Sequence, residues 1–212
     1  MNIPTKLSTK LQYSNIGYAI SGEAAANVAG VPYERLVQDR IFRPLGLYHT
    51  GFSQMEMGQR PNHAMPFYAE NLKEAQEGIF HEGYLDRMIE LDAAAGDIYS
   101  NTEDLLKWGR TIMKFGDLDG NQVLSKSSIE EILTARTIVR GVRTLPELGP
   151  ATTYSLGWFA DTYKGQSVYY HGKFNFFCVC CECWKDKQRV HVADTSFSVF
   201  SIIFLKKKKT IM

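Results

Sequence analysis

The sequence predicts an α+β fold in which an antiparallel sheet is partly covered by helices. Between residues 16 and 28, apolar residues recur at spacings of one, three and four, and Gly and Pro stand where the first two helices should end. Beyond Pro150 the apolar period changes to two, and Lys164-Gly165-Gln166 separates two apolar runs as a hairpin turn would. The 212 residues, 44% of them hydrophobic and 22% charged, are enough for one sizeable core.

The first predicted helix begins near Ile16 and ends at Gly30. Tyr13 and Asn15 lie just before the N-terminus of this helix. Their phenol and carboxamide, two residues apart, are expected on the same side of a tight turn, where they could contact a substrate. A purely structural interpretation is also open, namely a buried tyrosine followed by an asparagine that caps the helix. These residues alone do not decide between the two.

A second helix is predicted from Tyr33 until Pro44 and Gly46 end it. From Ser53 to about Ala95 the chain is predicted to be mostly irregular, because glycines and prolines interrupt any period. Side chains in this zone could face a ligand, although loop histidines are usually just solvated; the candidates are His63, Tyr68, His81 and Tyr84.

The third zone starts with small residues near Ala95 and continues into a helix running to about Phe115. Ser100 or Asn101 can cap this helix, and Glu103, three residues after Ser100, would complete a capping box. A turn over 117–121 and a short helix around 129–133 follow. The strands are then expected at 154–159 and 168–172.

Several of these segments together resemble one family. Tyr13-Ser14-Asn15, the run 33–47 that ends in Pro-Leu-Gly-Leu, Thr50-Gly51-Phe52, the Tyr-x-Leu-Gly-Trp of 154–158 and His171-Gly172 occur in the order found in the serine β-lactamase and penicillin-binding-protein-like superfamily. The match is to its class C branch, with esterase and peptidase relatives. The resemblance covers about 11–172 and implies a β-lactamase/transpeptidase-like domain, incomplete at both ends, over 1–173 and an atypical tail over 174–212.

The resemblance also implies roles for individual residues. Tyr13 matches the tyrosine that relays the proton of the nucleophile, and Asn15 matches the group that positions the substrate's amide or ester. His171 matches the partner on the opposite strand, and Gly172 lies at the substrate-binding edge of that strand. The implied ligand is a small-molecule β-lactam, ester or amide, and no signature in the sequence selects among them.

The nucleophile of this family is missing from the sequence. Family members carry it in a Ser-x-x-Lys motif, and no serine among these 212 residues is followed by a lysine three positions later. Three hypotheses follow: part of a serine hydrolase that is inactive as this chain, a non-catalytic ligand-binding pseudoenzyme, or the product of a truncated gene model. An incomplete sheet and helical layer would expose apolar surface, so we expect marginal stability or aggregation of the chain alone.

Charge and cysteine usage argue against other classes of protein. A net charge of +1 provides no strong positive electrostatic field, so nucleic acid is not an expected partner. No apolar run is long enough to span a bilayer and no secretory signal is visible, so a cytoplasmic location is the default expectation. The four cysteines lie together in 178–183, too close on one extended segment to converge easily on a single zinc ion. We expect no metal or cofactor, and the sequence does not predict an oligomeric state.

Overall fold

Short helices and short antiparallel strands alternate along the chain. The computed structural model describes residues 11–65, 67–83, 93–139, 152–163, 166–171 and 204–206. The helices are α1 (Asn15–Ala29), α2 (Tyr33–Val37), α3 (Gln54–Gly58), α4 (Leu72–Glu77), α5 (Thr102–Met113) and α6 (Lys126–Leu133). The strands are β1 (Phe67–Tyr68), β2 (His81–Glu82), β3 (Asp117–Leu118), β4 (Asn121–Gln122), β5 (Thr137–Ile138), β6 (Thr153–Tyr154), β7 (Phe159–Tyr163), β8 (Gln166–Tyr170) and β9 (Phe204–Lys206).

The first helix has the predicted limits. It ends at Gly30, whose φ of +69° is the left-handed conformation that glycine adopts at low cost, and whose N–H bonds to the carbonyls of Ala26 and Asn27. Gly22 lies where α1 meets a neighbouring turn, because a Cβ at this position would stand 2.4 Å from the Cβ of Ala94. The small residue therefore lets the two segments approach closely.

The second helix changes its winding partway along. The α-helical turn Tyr33–Val37 continues as a π-helical turn over Gln38–Phe42, in which the N–H of Arg43 bonds to the carbonyl of Gln38 at 2.9 Å. The sequence predicted one uninterrupted helix, because a single π-turn of five residues is too short to show an apolar period of its own. The chain then turns at Gly46, where φ is +63°.

Among the residues that the structure describes, the core consists of two clusters, and one tryptophan packs against both. The first cluster lies around α2 and the segment after it and contains Val37, Phe42, Leu45, Leu47 and Phe52. The second joins α5, α6 and the sheet through Ile112, Ile129 and Trp158. Trp108 of α5 packs against both clusters. Helix α5 therefore connects the N-terminal helices to the sheet.

The main sheet has the order β5-β6-β7-β8-β9, and every neighbouring pair is antiparallel. The predicted strand over 154–159 is wrong as a single strand. Residues 155–158 form a tight turn between β6 and β7, in which Gly157 has φ +83° and the N–H of Ser155 bonds to the carbonyl of Trp158 at 2.8 Å. The backbone of Phe204–Lys206 forms β9 and pairs with β8. These three residues are the part of the predicted tail, 174–212, that the structure describes.

Two further expectations need correction. The zone from Ser53 to Ala95 is not simply irregular, because it contains α3, α4 and the β1–β2 pair, each too short to show a sequence period. Helix α5 is capped by Asn101, whose Oδ1 accepts from the N–H of Asp104 at 2.8 Å. The capping box on Ser100 does not form, since its hydroxyl lies 2.8 Å from that of Thr50 instead. The predicted α+β class is nevertheless confirmed.

Asp104 holds the loop after the first cluster against α5. Its carboxylate is 1% exposed and accepts hydrogen bonds from the N–H of His49 at 2.7 Å and the hydroxyl of Thr50 at 2.9 Å. Lys107 lies 3.4 Å from the same carboxylate and donates to the carbonyl of Gly46 at 2.8 Å. A buried carboxylate is tolerated when it is paired and hydrogen-bonded in this way.

An apolar stripe on α1 remains exposed. Ile16 and Ile20 are each 65% exposed and Val28 is 91% exposed, at intervals of four and eight residues along one side of the helix. Such a stripe usually faces another part of a fold or a partner. Within the described residues no helix is both long and apolar enough to cross a membrane.

Replacing Asp104 by Ala should lower the free energy of unfolding by about 1–3 kcal/mol, because two part-buried donors, the N–H of His49 and the hydroxyl of Thr50, lose their acceptor. Chemical denaturation followed by circular dichroism measures the change. The matched control is Glu103→Ala in the same helical turn, whose side chain is 73% exposed, and it should cost less than about 1 kcal/mol. Equal losses in the two variants would contradict the role given to Asp104.

The exposed stripe predicts self-association of the chain. Ile20→Lys interrupts the stripe and adds one positive charge, so the weight-average mass measured by light scattering at rising concentration should fall toward that of a monomer. Ala25→Lys adds the same charge at another exposed position of α1, about 140° around the helix from Ile20, and should leave association unchanged. A wild-type chain that stays monomeric at high concentration and melts in one sharp transition would count against this expectation.

Candidate functional site

Tyr13 stands exposed just before α1. Its side chain is 52% exposed, and Asn15 is the first helical residue rather than the cap. The N-cap position belongs to Ser14, whose side chain makes no capping hydrogen bond. The alternative of a buried tyrosine followed by a capping asparagine therefore does not describe this turn. The phenol is open to a molecule approaching from solvent.

His171 follows the last residue of β8 and meets Tyr13 from the other end of the chain. The phenolic oxygen of Tyr13 lies 3.5 Å from Nε2 of His171, and the two rings stack with centroids 6.0 Å apart and planes 21° apart. The residues are separated by 158 positions in sequence. The fold thus brings two of the predicted site residues into one place.

The surroundings of His171 favour its uncharged imidazole. Burial lowers its pKa below the ordinary value of 6.5, because the charged form loses hydration. A neutral imidazole carries one N–H and one lone pair, so Nε2 can accept a proton when the N–H is on Nδ1. At 3.5 Å the contact with the phenol of Tyr13 is at the long limit of a hydrogen bond.

Aromatic rings surround this pair. Phe159 stacks on His171 with ring centroids 5.9 Å apart, and Tyr154 approaches Tyr13 edge-on at 6.5 Å and His171 at 6.3 Å. The hydroxyl of Tyr154 lies 3.3 Å from that of Tyr18 on α1. Burial raises the pKa of Tyr154 well above its ordinary value of 10.0, and the hydrogen bond with Tyr18 raises it further. Tyr154 is thus a neutral phenol at physiological pH.

The other predicted site residues are placed differently. Asn15 is exposed on the first turn of α1, two residues after Tyr13, while Gly172 lies outside the described residues. In the loop zone, Nδ1 of His63 lies 2.6 Å from the carbonyl of Arg60, and His81 lies 3.2 Å from the carboxylate of Glu74. Tyr68 stacks near His81, and Tyr84 is outside the described residues. These histidines are held by local partners.

Tyr18 and Tyr154 adjoin the site but are not among the residues that the sequence predicted for it. Tyr18 follows Asn15 by three positions, so the helical repeat places both on one side of α1. Tyr154 opens the Tyr-x-Leu-Gly-Trp segment, and its glycine could have indicated a turn rather than a continuous strand. The helical spacing of Tyr18 and the glycine after Tyr154 are thus visible in the sequence, but neither indicates that the two tyrosines contact each other.

Metal ligands do not assemble in the described part of the chain. There, no three His, Cys, Asp or Glu side chains are grouped so that they could hold an ion. The four cysteines of 178–183 all lie outside the described ranges.

Comparison with known proteins gives consistent matches. The Beta-lactamase family model matches residues 4–180. A Bacillus subtilis (strain 168) protein provisionally described as penicillin-binding protein PbpX is 26% identical over 147 residues, which is 69% of this chain and 31% of that protein. An Escherichia coli O157:H7 protein provisionally described as a D-alanyl-D-alanine carboxypeptidase is 25% identical over 161 residues, 69% of this chain and 34% of that protein.

The structural comparison identifies the same fold. The octameric penicillin-binding protein homologue from Pyrococcus abyssi superposes with a TM-score of 0.64 at 22% identity, covering 79% of this chain and 34% of that one. The chain spans about a third of the length of these relatives. Since the family model covers most of its residues, the chain belongs to the β-lactamase family.

Proposed function

We propose that this chain is part of a β-lactamase-related serine hydrolase, with Tyr13 as the proton relay, Asn15 as the substrate-positioning group and His171 as the partner of Tyr13. Gly172 would line the substrate-binding edge after β8. The observation that carries the proposal is the 3.5 Å approach of Tyr13 to His171 across 158 residues of sequence. An exposed phenol beside a half-buried imidazole is an arrangement that can move a proton.

We place the proton acceptor at Nε2 of His171 because this nitrogen faces the hydroxyl of Tyr13. Nε2 of a neutral His171 accepts the proton of the Tyr13 hydroxyl, and the oxygen of Tyr13 then accepts a proton from a third hydroxyl. In an acyl transfer that third hydroxyl is the nucleophile, which attacks a carbonyl carbon as its proton leaves. The same pair returns the proton to the leaving amine or alkoxide.

Nothing among these 212 residues supplies the family's nucleophile, since no serine is followed by lysine at the third position. We therefore propose that these residues alone form no acyl-enzyme, and that a Ser-x-x-Lys segment outside them supplies the reacting hydroxyl. The same observation also favours the alternative that the chain is a pseudoenzyme which holds a ligand without turnover. A third origin, the product of a truncated gene model, predicts neither binding nor reaction.

The substrate class is proposed as a small β-lactam, ester or amide. The Bacillus relative carries the description penicillin-binding protein, and the Escherichia relative carries the description D-alanyl-D-alanine carboxypeptidase. Each of these ligands has a carbonyl carbon that a serine can attack and a leaving group that must be protonated. Asn15, exposed beside Tyr13, offers both an N–H donor and a carbonyl acceptor to such an amide or ester.

Intact-mass spectrometry after incubation with a fluorophosphonate or a reactive β-lactam tests the proposal. We expect no adduct on the 212-residue chain. If the genomic sequence upstream encodes a Ser-x-x-Lys helix in frame, a protein extended to include it should form one adduct on that serine. In the extended protein Tyr13→Phe should slow labelling about 10²–10⁴-fold, because the proton relay is lost. Tyr48→Phe is the control, since Tyr48 is 74% exposed, and it should label at the wild-type rate.

Three outcomes separate the hypotheses. A stoichiometric adduct on one serine of the 212-residue chain would refute the missing nucleophile. Saturable binding of a β-lactam in calorimetry, without adduct in either protein, would establish the pseudoenzyme. Neither binding nor labelling in both proteins would leave the truncated gene product as the explanation.

A further inference from the structure

We infer that Tyr18 and Tyr154 are a positioning pair that sets the distance between Tyr13 and His171. The inference rests on the proposed function, since it concerns the same site, but it assigns a role to two residues to which the family resemblance gave none. Side-chain hydrogen bonds near the start of α1 reach residues on and just after the sheet strands. One links Tyr13 to His171, and the other links the hydroxyls of Tyr18 and Tyr154 at 3.3 Å.

The ring of Tyr154, on β6, lies near the rings of both site residues. Tyr154 is 8% exposed, and its ring packs edge-on against Phe159 with centroids 4.8 Å apart. The same ring meets those of Tyr13 at 6.5 Å and His171 at 6.3 Å. These separations fall in the range at which aromatic pairs attract one another. A displacement of the Tyr154 ring would therefore change the packing of both Tyr13 and His171.

The hydroxyl of Tyr154 explains why Tyr18 is needed. A buried phenol that lacks a hydrogen-bond partner is costly, and Tyr18 provides the partner from α1. Burial raises the pKa of Tyr154, so this phenol keeps its proton at physiological pH. Tyr13, which is largely exposed, is the phenol that a substrate can reach. In this arrangement Tyr13 is the tyrosine that contacts the substrate, and the buried Tyr154 fixes the position of Tyr13.

The turn between β6 and β7 places Tyr154 in this position. Gly157 adopts φ +83°, a conformation that other residues rarely adopt, and so lets the chain reverse after Tyr154. The reversal pairs Tyr154 with Phe159 across the two strands. A Cβ built on Gly157 would lie 3.7 Å from the hydroxyl of Tyr18, which places the turn directly beside α1. Turn, tyrosine pair and site are therefore contiguous.

Titration of the His171 ring by NMR in the 212-residue chain tests this role. Tyr18→Phe and Tyr154→Phe each remove one hydroxyl of the shared hydrogen bond and keep the ring. We expect each to raise the pKa of His171 toward 6.5, because the loosened pair admits water to the imidazole. The double variant Tyr18→Phe/Tyr154→Phe should raise it no further, since both changes break the same bond.

Tyr169→Phe is the matched control. Tyr169 lies on β8, two residues before His171, and packs against the second core cluster. Its substitution removes a sheet hydroxyl without touching the Tyr18–Tyr154 contact, and the pKa of His171 should remain at the wild-type value. Tyr18 is only half-buried, so the Tyr18→Phe variant keeps the test valid if Tyr154→Phe fails to fold.

The positioning role is overturned if Tyr18→Phe and Tyr154→Phe lower the melting temperature while the pKa of His171 stays unchanged, or if the two shifts add in the double variant. The experiment needs neither nucleophile nor substrate. A failure of the labelling experiment therefore leaves this result standing. Conversely, an unchanged His171 titration leaves the proposed hydrolase assignment intact.

Discussion

The buried carboxylate of Asp104 fixes the relation between the two halves of the chain. It receives the N–H of His49 and the hydroxyl of Thr50 and thereby holds the end of the first cluster to the start of α5. Two residues of α5 then reach the core: Trp108 packs against both clusters, and Ile112 belongs to the second cluster. Because a charge inside a protein is stable only with such partners, the loop around Thr50 has little freedom to move away from α5.

The geometry of the candidate site follows from these contacts. Gly22 of α1 packs closely against Ala94 and Tyr33, which ties the helix behind Tyr13 to the first cluster. On the other side, Trp158 ties the β6–β7 turn to the second cluster, and β8 runs antiparallel to β7 and ends just before His171. Tyr13 and His171 thus meet because each is attached to a cluster that α5 holds in place. The site depends on the packing of regions far from it.

Local sequence signals predicted the elements whose causes are local. Gly30 indicated the end of α1, Asn101 the start of α5, and the residues around Ile129 indicated α6. The turn at Gly157 was missed because apolar and aromatic residues continue through it from Tyr154 to Phe159 and imitate one strand. The π-turn after Val37 and the short elements between 53 and 95 leave no distinctive period.

The meeting of Tyr13 and His171 was predicted only through the order of family motifs. No property of either segment alone indicates a partner 158 residues away, since the contact arises from the sheet and from α5. The pairing of Tyr18 with Tyr154 had no motif to reveal it, because a hydrogen bond between two distant tyrosines leaves no trace in spacing or composition. Long-range contacts of this kind become visible only once the fold is known.

The most direct measurement is a nuclear Overhauser experiment on the 212-residue chain with assigned aromatic protons. The described geometry places the Tyr13 hydroxyl 3.5 Å from Nε2 of His171, so cross-peaks should join the ring protons of these two residues, and His171 should show shifts displaced by the stacked ring of Phe159. An imidazole with the shifts of an unstructured peptide and no cross-peak to Tyr13 would contradict the account, because the site would then not exist in the chain.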